Sequence, residues 1–320
     1  MDQGVNPAEV EHVPVLADAL TEQISLPQDG VMVDATMGHG GHSFLFGTTL
    51  GAAGTLVGLD VDSGSLARAR ERLAPLACRV ILLKSNFARL AECLDELGIK
   101  EVDFLLADLG LCSRQLVDRQ MGLSFRTDMP LDMRIDQSLP TTAADIVNES
   151  DEKTLADLIF RFGQDRASRR IARYIVQRRQ REPITTTEQL ARIVCSALSR
   201  PGRKHRPRKH PATRTFQALR IAVNRELESL EALLSAAPQI LAADGTIAVI
   251  SYHSLEDGMV KRDFRQKADQ GFYRLMTKKP IVPSRAEIAA NHRARSAKLR
   301  IARKLSRAST SVGWIDEGIS

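Results

Sequence analysis

The chain has 320 residues, 43% of them hydrophobic, so it is long enough to build one large domain or two smaller ones around a buried core. No apolar run reaches the roughly 18 residues that a membrane-spanning helix needs, and residues 1–10 lack the basic start and apolar core of a secretory signal. The four cysteines are far apart and form no C-x-x-C pair, which argues against a zinc site or disulfide framework and favours a reducing, cytoplasmic location.

The net charge of +6 is distributed unevenly along the chain. Residues 161–225 contain 18 lysines and arginines but three acidic residues, which leaves 27 basic and 36 acidic residues elsewhere. A solvated helical surface normally mixes both signs, so a block of +15 in an otherwise acidic chain favours a polyanionic partner. Because the chain has only 14 aromatic residues, phosphate contacts rather than base stacking would dominate such binding.

The first third of the chain alternates short apolar runs with helical patterns. The predicted strands are, in chain order, residues 31–33, 56–59, 80–83 and 103–108. Helices are predicted between them, from about residue 43, over 65–73 and over 87–97. This alternation indicates an α/β fold with a parallel, doubly wound sheet.

The alternation stops after Asp108. The following hundred or so residues show no convincing buried strand and give helical patterns instead, over 154–162, 165–181 and 187–198. A Pro-Gly pair and the basic residues 203–210 indicate an exposed loop, which is a candidate for phosphate contacts.

Sheet character returns at residues 245–250, after one long helix predicted over 215–236. We therefore expect a helical domain inserted into a single α/β domain. The expected boundaries are 1–112 for the first part of the α/β domain, 113–212 for the inserted helical domain and 213–320 for the second part with its basic tail.

A glycine-rich turn follows the first predicted strand, which ends at Asp34. The glycines at positions 38, 40 and 41 allow the backbone to pass close to a ligand, because a Cβ atom would block that approach. Asp60 ends the second strand, where a carboxylate can accept hydrogen bonds from the hydroxyls of a ribose. Carboxylates on both sides of the turn, Asp34 and Asp60, would also suit a positively charged sulfonium.

The turn alone leaves several interpretations open. A nicotinamide-dinucleotide site is built similarly, but the pattern G-x-G-x-x-G fails because Ser43 stands in place of its third glycine. This favours a methyltransferase over a dehydrogenase, with a purely structural turn as a further alternative. His42 is more typical of a cofactor loop or a helix start than of a metal ligand, and we predict no metal site.

A series of motifs resembles the bacterial 16S ribosomal RNA cytosine-N4 methyltransferases, also called the MraW family. The most distinctive run is H-P-A-T-R-T-F-Q-A-L-R at 210–220. The others, in chain order, are H-V-P-V-L at 12–16, G-H-G-G-H-S at 38–43, G-L-S-F-R at 122–126, P-L-D-M-R at 130–134, S-Y-H-S-L-E-D at 251–257, K-K-P-I at 278–281 and R-S-A-K-L-R at 295–300. The resemblance covers nearly the whole chain.

This resemblance implies a class I S-adenosylmethionine-dependent methyltransferase with a Rossmann-like sheet and an inserted helical domain. It implies that S-adenosylmethionine contacts Gly40, Gly41, His42, Asp60, Phe87, Asp108 and Gln115. Phe87 would lie against the adenine, and Asp108 would face the substrate. The implied reaction is N4-methylation of a cytidine in the P site of the decoding region of 16S ribosomal RNA, within the small ribosomal subunit.

Three residues depart from the family pattern. The family usually reads D-L-G-V-S-S-P-Q where this chain has D-L-G-L-C-S-R-Q at 108–115, so that Cys112 replaces a serine and Arg114 a proline. We expect greater flexibility in this loop. Met129 stands where a glycine is common. None of the three changes removes an acidic residue or a glycine to which a role is assigned.

The exocyclic amine of cytosine is a poor nucleophile because its lone pair is delocalised into the ring. Acceptors on its N–H bonds would help the nitrogen to rehybridise and would then take its proton. The candidates are Asp108, Asp132 and His253. A salt bridge to Arg134 or Arg126 is the alternative for Asp132, and a hydrogen-bonded structural role is the alternative for His253.

Two other functions stay open at this point. A non-catalytic RNA-binding factor for ribosome assembly would keep the fold but transfer no methyl group. A small-molecule methyltransferase is disfavoured by the basic block. The sequence predicts no membrane partner, and it contains no feature that fixes the oligomeric state.

Overall fold

The computed structural model describes residues 14–110, 121–125, 127–199 and 210–306. Within these ranges a seven-stranded sheet carries helices on both faces, and a further layer of helices follows the fourth strand. None of the helices in these ranges has the length and apolarity that crossing a bilayer requires.

The first half of the sheet has the alternation that the sequence predicts. Its strands are β1 (Val31–Asp34), β2 (Thr55–Asp60), β3 (Arg79–Lys84) and β4 (Val102–Asp108). The helices around them are α1 (Ala17–Gln23), α2 (Gly41–Gly47), α3 (Ser63–Leu73) and α4 (Leu90–Glu96), with a 3₁₀ turn at Phe87–Arg89 before α4. The inner strands are apolar and buried on both faces, as in other parallel sheets.

The layer of helices after β4 has an apolar core of its own. Its members are α5 (Ala143–Glu149), α6 (Glu152–Gly163), α7 (Ser168–Arg179), α8 (Thr187–Leu198) and α9 (Thr213–Asn224). Leu155, Ile171, Leu190 and Leu219 lie in that core, apart from the two clusters that cover the sheet. The helices α6, α7 and α8 correspond to the predicted ones. The domain boundaries stay a prediction, and the first of them falls beside residues 111–120, outside the described ranges.

The single long helix predicted over 215–236 is wrong. Two helices, α9 and α10 (Glu226–Ile240), meet at Arg225, whose φ of 50° lies in the left-handed region. The Arg220 guanidinium donates to both carboxylate oxygens of Glu226 across this bend, at 2.7 and 2.9 Å. Because the bend contains no glycine and depends on this ion pair, the local sequence carries no signal for it.

The rest of the chain completes the sheet. Its elements are β5 (Leu241–Ser251), α11 (Ser254–Asp269), β6 (Tyr273–Leu275), α12 (Arg285–Ala290), a 3₁₀ turn (His292–Ser296) and β7 (Lys298–Lys304). The strand order is β3-β2-β1-β4-β5-β7-β6, with β7 antiparallel to both of its neighbours. This order with its reversed strand is that of class I methyltransferases, and it confirms the expected fold class.

The register of the parallel strands brings their carboxyl ends to one edge of the sheet. Asp34 pairs with Gly58 and Leu106, and Asp108 pairs with Ile250, so β1, β2, β4 and β5 end close together. The glycine-rich turn follows from this edge, which is where open α/β sheets bind their ligands.

A cluster of charged side chains fastens α11 to the last strand. The Asp257 carboxylate accepts hydrogen bonds from Arg300 Nε at 2.8 Å and from Lys298 Nζ at 3.0 Å. The Arg300 and Asp257 side chains are mostly buried, with 10% and 13% of their surface exposed. The loss of either charge would therefore leave the other without its partner inside the protein.

We expect the variant Asp257→Asn to lower the free energy of unfolding by about 3 kcal/mol, because the Arg300 guanidinium would lose its buried counter-charge. Urea unfolding measures this change. The matched control is Glu92→Gln, which removes an exposed ion pair with Arg89 and should cost much less, because solvent screens that pair. Equal losses in the two variants would contradict the assignment.

Candidate active site

The turn between β1 and α2 is organised by the Asp34 carboxylate. This side chain is 2% exposed, and it accepts hydrogen bonds from Ser43 Oγ at 2.7 Å and from the backbone N–H of Thr36 at 3.1 Å. Burial raises the pKa of Asp34 above its ordinary value. The expectation that Asp34 would face a ligand together with Asp60 is wrong, because its carboxylate is directed into the protein and supports the turn.

The glycines of the turn serve two different purposes. Gly38 and Gly40 both adopt the left-handed conformation, with φ of 49° and 75°. A Cβ atom at Gly40 would make ordinary contacts of 3.4 Å with side-chain atoms of Ala69 and Leu73, so the positive φ and not a lack of space favours glycine there. Gly41 begins α2 and lines the open groove beside the turn, together with Gly38 and His42.

Asp60 holds the other side of the turn. One carboxylate oxygen accepts the N–H of Gly38 at 2.8 Å, and the other accepts the N–H of Asp62 at 2.9 Å. Burial raises the pKa of Asp60 to about 6. The same cavity is lined by Phe87 and Asp108, so the structure brings together three of the predicted cofactor contacts.

Asp108 lies where this cavity meets the open groove, since it lines both. Its Oδ2 is 3.7 Å from His42 Nδ1. The other ring nitrogen of His42, Nε2, is 2.9 Å from the Val15 carbonyl oxygen. A carbonyl oxygen can only accept, so Nε2 carries a hydrogen, and in the neutral ring Nδ1 presents a lone pair on the side of Asp108.

Tyr252 is a neighbour of Asp108 that lies in one of the motifs of the resemblance but to which the sequence assigned no role of its own. It follows β5, and a Cβ atom at Gly110 would lie 2.7 Å from its ring, so the ring packs directly on the backbone after Asp108. Burial, and after it the Asp108 carboxylate to which the hydroxyl is hydrogen-bonded, raises the pKa of Tyr252. The Tyr252 hydroxyl therefore stays a donor to Asp108 throughout the physiological range.

Asp132 and His253 make structural contacts. Asp132 forms a bidentate salt bridge with Arg134, with both N···O distances at 2.8 Å, and it lines neither the cavity nor the groove. His253 caps α11, because its Nδ1 accepts the N–H of Glu256 at 3.3 Å. These are the contacts that the structural alternative for each residue requires. Gln115 lies outside the described ranges.

Other charged residues of the cavity come from the bend between α9 and α10 and from α11. Arg220, Glu226 and Glu256 line it together with Asn224. Arg220 and Glu256 fall in motifs that the resemblance rests on, but the reach of Glu226 back to Arg220 depends on the bend at Arg225. A sequence pattern that indicates one continuous helix gives no sign of that reach.

Glu226, His253 and Glu256 have the spacing of metal ligands, with their ligand atoms within 4.8 Å of one another, and no other group in the described ranges does. The Arg220 guanidinium already binds both oxygens of Glu226. Its positive charge offsets the charge that would attract a cation. The arrangement thus fits a buried network of ion pairs better than a metal centre.

Comparisons with known proteins agree over nearly the whole chain. Residues 9–305 match the profile of a family described as the MraW methylase family. A protein of Cyanothece sp. named Ribosomal RNA small subunit methyltransferase H is 49% identical over 305 residues, which cover 93% of this chain and 98% of that protein. The protein of the same name from Brevibacillus brevis is 42% identical over 309 residues, covering 92% and 98%.

Among solved structures, the precorrin-6y C5,15-methyltransferase of Geobacter metallireducens superposes with a TM-score of 0.43 at 11% identity. The superposition covers 95% of this chain and 97% of that one.

The raised pKa of Asp60 has a consequence for stability. Between its ordinary value and about 6, the folded protein binds a proton that the unfolded chain has lost. The resulting stabilisation is present at low pH and is lost as the pH rises through about 6. From about pH 5 to about pH 7.5, the wild-type protein should lose about 1 kcal/mol relative to the variant Asp60→Asn.

Urea unfolding of both proteins at the two pH values measures this difference. The exposed Asp29→Asn variant controls for the loss of one negative charge. If the free energy of unfolding of the wild type instead rose relative to that of Asp60→Asn between these pH values, the pKa of Asp60 would not be raised by burial.

Proposed function

The chain belongs to the MraW methylase family, and from this premise we propose that it transfers a methyl group from S-adenosylmethionine to N4 of a cytidine in 16S ribosomal RNA. The coarser part of the proposal, methylation of small-subunit ribosomal RNA, is supported by the names of relatives that are 42% and 49% identical. The finer part, a cytidine in the P site of the decoding region, is supported by the motif resemblance. Ribosomal RNA would place the protein in the bacterial cytoplasm.

The observation that carries the proposal is the position of Asp108. It ends β4 and lines both the cavity of Asp60 and Phe87 and the adjoining groove. A methyl donor in the cavity and an acceptor that enters from the groove would therefore meet beside the Asp108 carboxylate. Holding both reactants in line supplies much of the rate of a displacement reaction.

The residues of the cavity fit S-adenosylmethionine, which supplies a methyl group on a positively charged sulfonium when bound. The carboxylate of Asp60 lies at the end of β2, where it can accept hydrogen bonds from the ribose hydroxyls. The ring of Phe87 offers an apolar surface to the adenine. The left-handed Gly38 keeps the turn free of a side chain beside Asp60, which accepts its N–H.

Asp108 is the residue that we assign to the amine of the target cytosine. When the new N–C bond forms and the S–C bond breaks, the nitrogen must release one proton. The carboxylate accepts an N–H hydrogen bond before transfer and can accept this proton afterwards. The lone pair of His42 Nδ1, 3.7 Å from Asp108 Oδ2, is placed to share it.

The base must leave its stack to reach Asp108. A second cavity next to Tyr252 is lined by aromatic and apolar side chains of the helical layer, including Phe125 and Phe216. Phe125 stacks on His210 at 4.5 Å between ring centroids and meets the edge of Phe216 at 4.8 Å. This aromatic group offers an apolar wall to an unstacked pyrimidine beside the reaction site.

The test of function is methyl transfer to purified small ribosomal subunits that lack the modification. We expect a labelled methyl group from S-adenosylmethionine to appear as N4-methylcytidine when the RNA is digested and its nucleosides are separated by mass spectrometry. Label in a different nucleoside would refute the assigned chemistry. Tight binding of subunits without any transfer would favour the assembly factor instead.

The variant Asp108→Asn keeps one acceptor oxygen but removes the negative charge and the capacity to take a proton. We expect kcat to fall by about 10²- to 10⁴-fold, with a smaller effect on the Kd of S-adenosylmethionine. Single-turnover methylation and calorimetric titration of the cofactor measure the two quantities. The exposed Asp269→Asn variant is the control, and an unchanged kcat in Asp108→Asn would sink the assignment.

A further inference from the structure

The open groove beside Asp108 has a strongly basic lining. It has a volume of about 580 Å³ and runs along the glycine-rich turn to the 3₁₀ turn before β7. Its arginines are Arg72 at the end of α3, Arg220 on α9, and Arg293 and Arg295 on the 3₁₀ turn. Asp108 is the only acidic residue among the described residues that line it.

Three of these arginines have no counter-charge among the residues that the structure describes. Arg220 is bound to Glu226, but Arg72, Arg293 and Arg295 form no ion pair with any residue in the described ranges. Arg293 and Arg295 belong to the basic last part of the chain, whereas Arg72 is distant from them in the sequence. The fold therefore brings positive charge from separate segments to one groove.

The backbone that presents Arg293 and Arg295 is held firmly. Between them Ala294 is fully buried against the sheet, and its N–H donates to the Asn291 carbonyl oxygen at 3.0 Å. The Asn291 side chain accepts the N–H of Arg293 at 3.1 Å. Arg72, across the groove, lies over the Phe44 ring at 5.9 Å. The arginines on the two sides of the groove therefore belong to regular elements of the fold, the 3₁₀ turn before β7 and helix α3.

We propose that this groove binds the sugar-phosphate backbone of the single-stranded RNA segment next to the target nucleotide, with phosphates against Arg72, Arg293 and Arg295. The inference rests on the proposed function. Arginine is suited to this role because its planar guanidinium binds phosphate oxygens in pairs. The groove would thus provide an RNA contact on the α/β domain, besides the contact expected of the basic block at 161–225.

Asp108 lines the same groove as the three arginines. Its carboxylate has the Tyr252 hydroxyl and the His42 ring as neighbours, and within the described residues it forms no ion pair with an arginine. The side chains of Arg293 and Arg295 are exposed, so the phosphates would lie at the protein surface while the base of one nucleotide turns inward to Asp108. Backbone contacts of this kind fix the register of a strand, and the contacts of the base select the nucleotide.

A carboxylate of the cofactor is the other ligand with matching charge, because the groove begins at the glycine-rich turn. The two ligands make different predictions. Phosphate contacts give RNA affinity a dependence on salt, which cofactor contacts do not. Each lost phosphate contact should reduce the slope of log K against log salt by about 0.7 on single-stranded nucleic acid.

The experiment compares the wild-type protein with the triple variant Arg72→Ala, Arg293→Ala and Arg295→Ala. Binding of single-stranded oligocytidylate is measured over a series of salt concentrations, and the KM and kcat for small subunits and the Kd of S-adenosylmethionine are measured beside it. We expect the salt slope to fall by about 2 and RNA affinity to fall about tenfold or more at moderate salt. The KM for subunits should rise, with kcat and the cofactor Kd nearly unchanged.

The matched control is Lys261→Ala, Arg262→Ala and Arg265→Ala, which removes the same charge from exposed positions of α11 away from the groove. It should leave the slope near the wild-type value. An unchanged slope in the groove variant, an equal fall in the control, or a loss confined to cofactor affinity would each overturn the proposal. The oligocytidylate measurement needs no methyl transfer, so failure of the groove and failure of the proposed function are distinguishable.

Discussion

One buried carboxylate fixes the geometry of the reaction edge. Asp34 accepts hydrogen bonds from Ser43 Oγ and from both the backbone N–H and the hydroxyl of Thr36. The Thr36 hydroxyl oxygen in turn accepts the N–H of Asp108 at 2.6 Å. The turn after β1 and the end of β4 are therefore held through a single threonine. Since an unpaired buried carboxylate is costly, these partners constrain Asp34 as strongly as it constrains them.

The second constraint is the bend between α9 and α10. The ion pair of Arg220 and Glu226 spans the bend and lines the cavity, so the contact that joins the two helices also places charged groups at the site. Through α9 the helical layer packs on its own apolar core, and through α10 the chain returns to the sheet. This connection between the helical layer and the sheet is therefore short and charged, and it lies beside the cavity.

The sequence was most informative where a local pattern determines the structure. Strands β1, β2 and β4 were predictable because apolar runs end at an aspartate, and two of these three aspartates, Asp60 and Asp108, line the cavity. The bend at Arg225 and the role of Tyr252 were not predictable. Both depend on partners distant in the chain, and an isolated arginine or tyrosine in a motif does not indicate the direction of its side chain.

The outcome for Asp34 and Asp132 has the same origin. An aspartate at a strand end can face a ligand or its own turn, and only the positions of Ser43 and Thr36 distinguish the two for Asp34. The strands β6 and β7 were not predicted, because β7 pairs with β5, which is distant from it in the sequence. Its partners on the neighbouring strand, such as Val249 for Arg300, are visible only in the folded sheet.

The placement of β7 between β5 and β6 sets an order of folding during synthesis. The sheet can begin with β1 to β5, but β5 keeps an unpaired edge until residues 298–304 leave the ribosome, and an open edge invites wrong pairing. The N-terminal segment would also reach its final position late, because the N–H of Leu16 donates to the Glu287 carboxylate at 2.7 Å. A nascent chain would thus hold its glycine-rich turn early and gain the wall with Arg293 and Arg295 last, so an incomplete product of translation would lack one side of the groove.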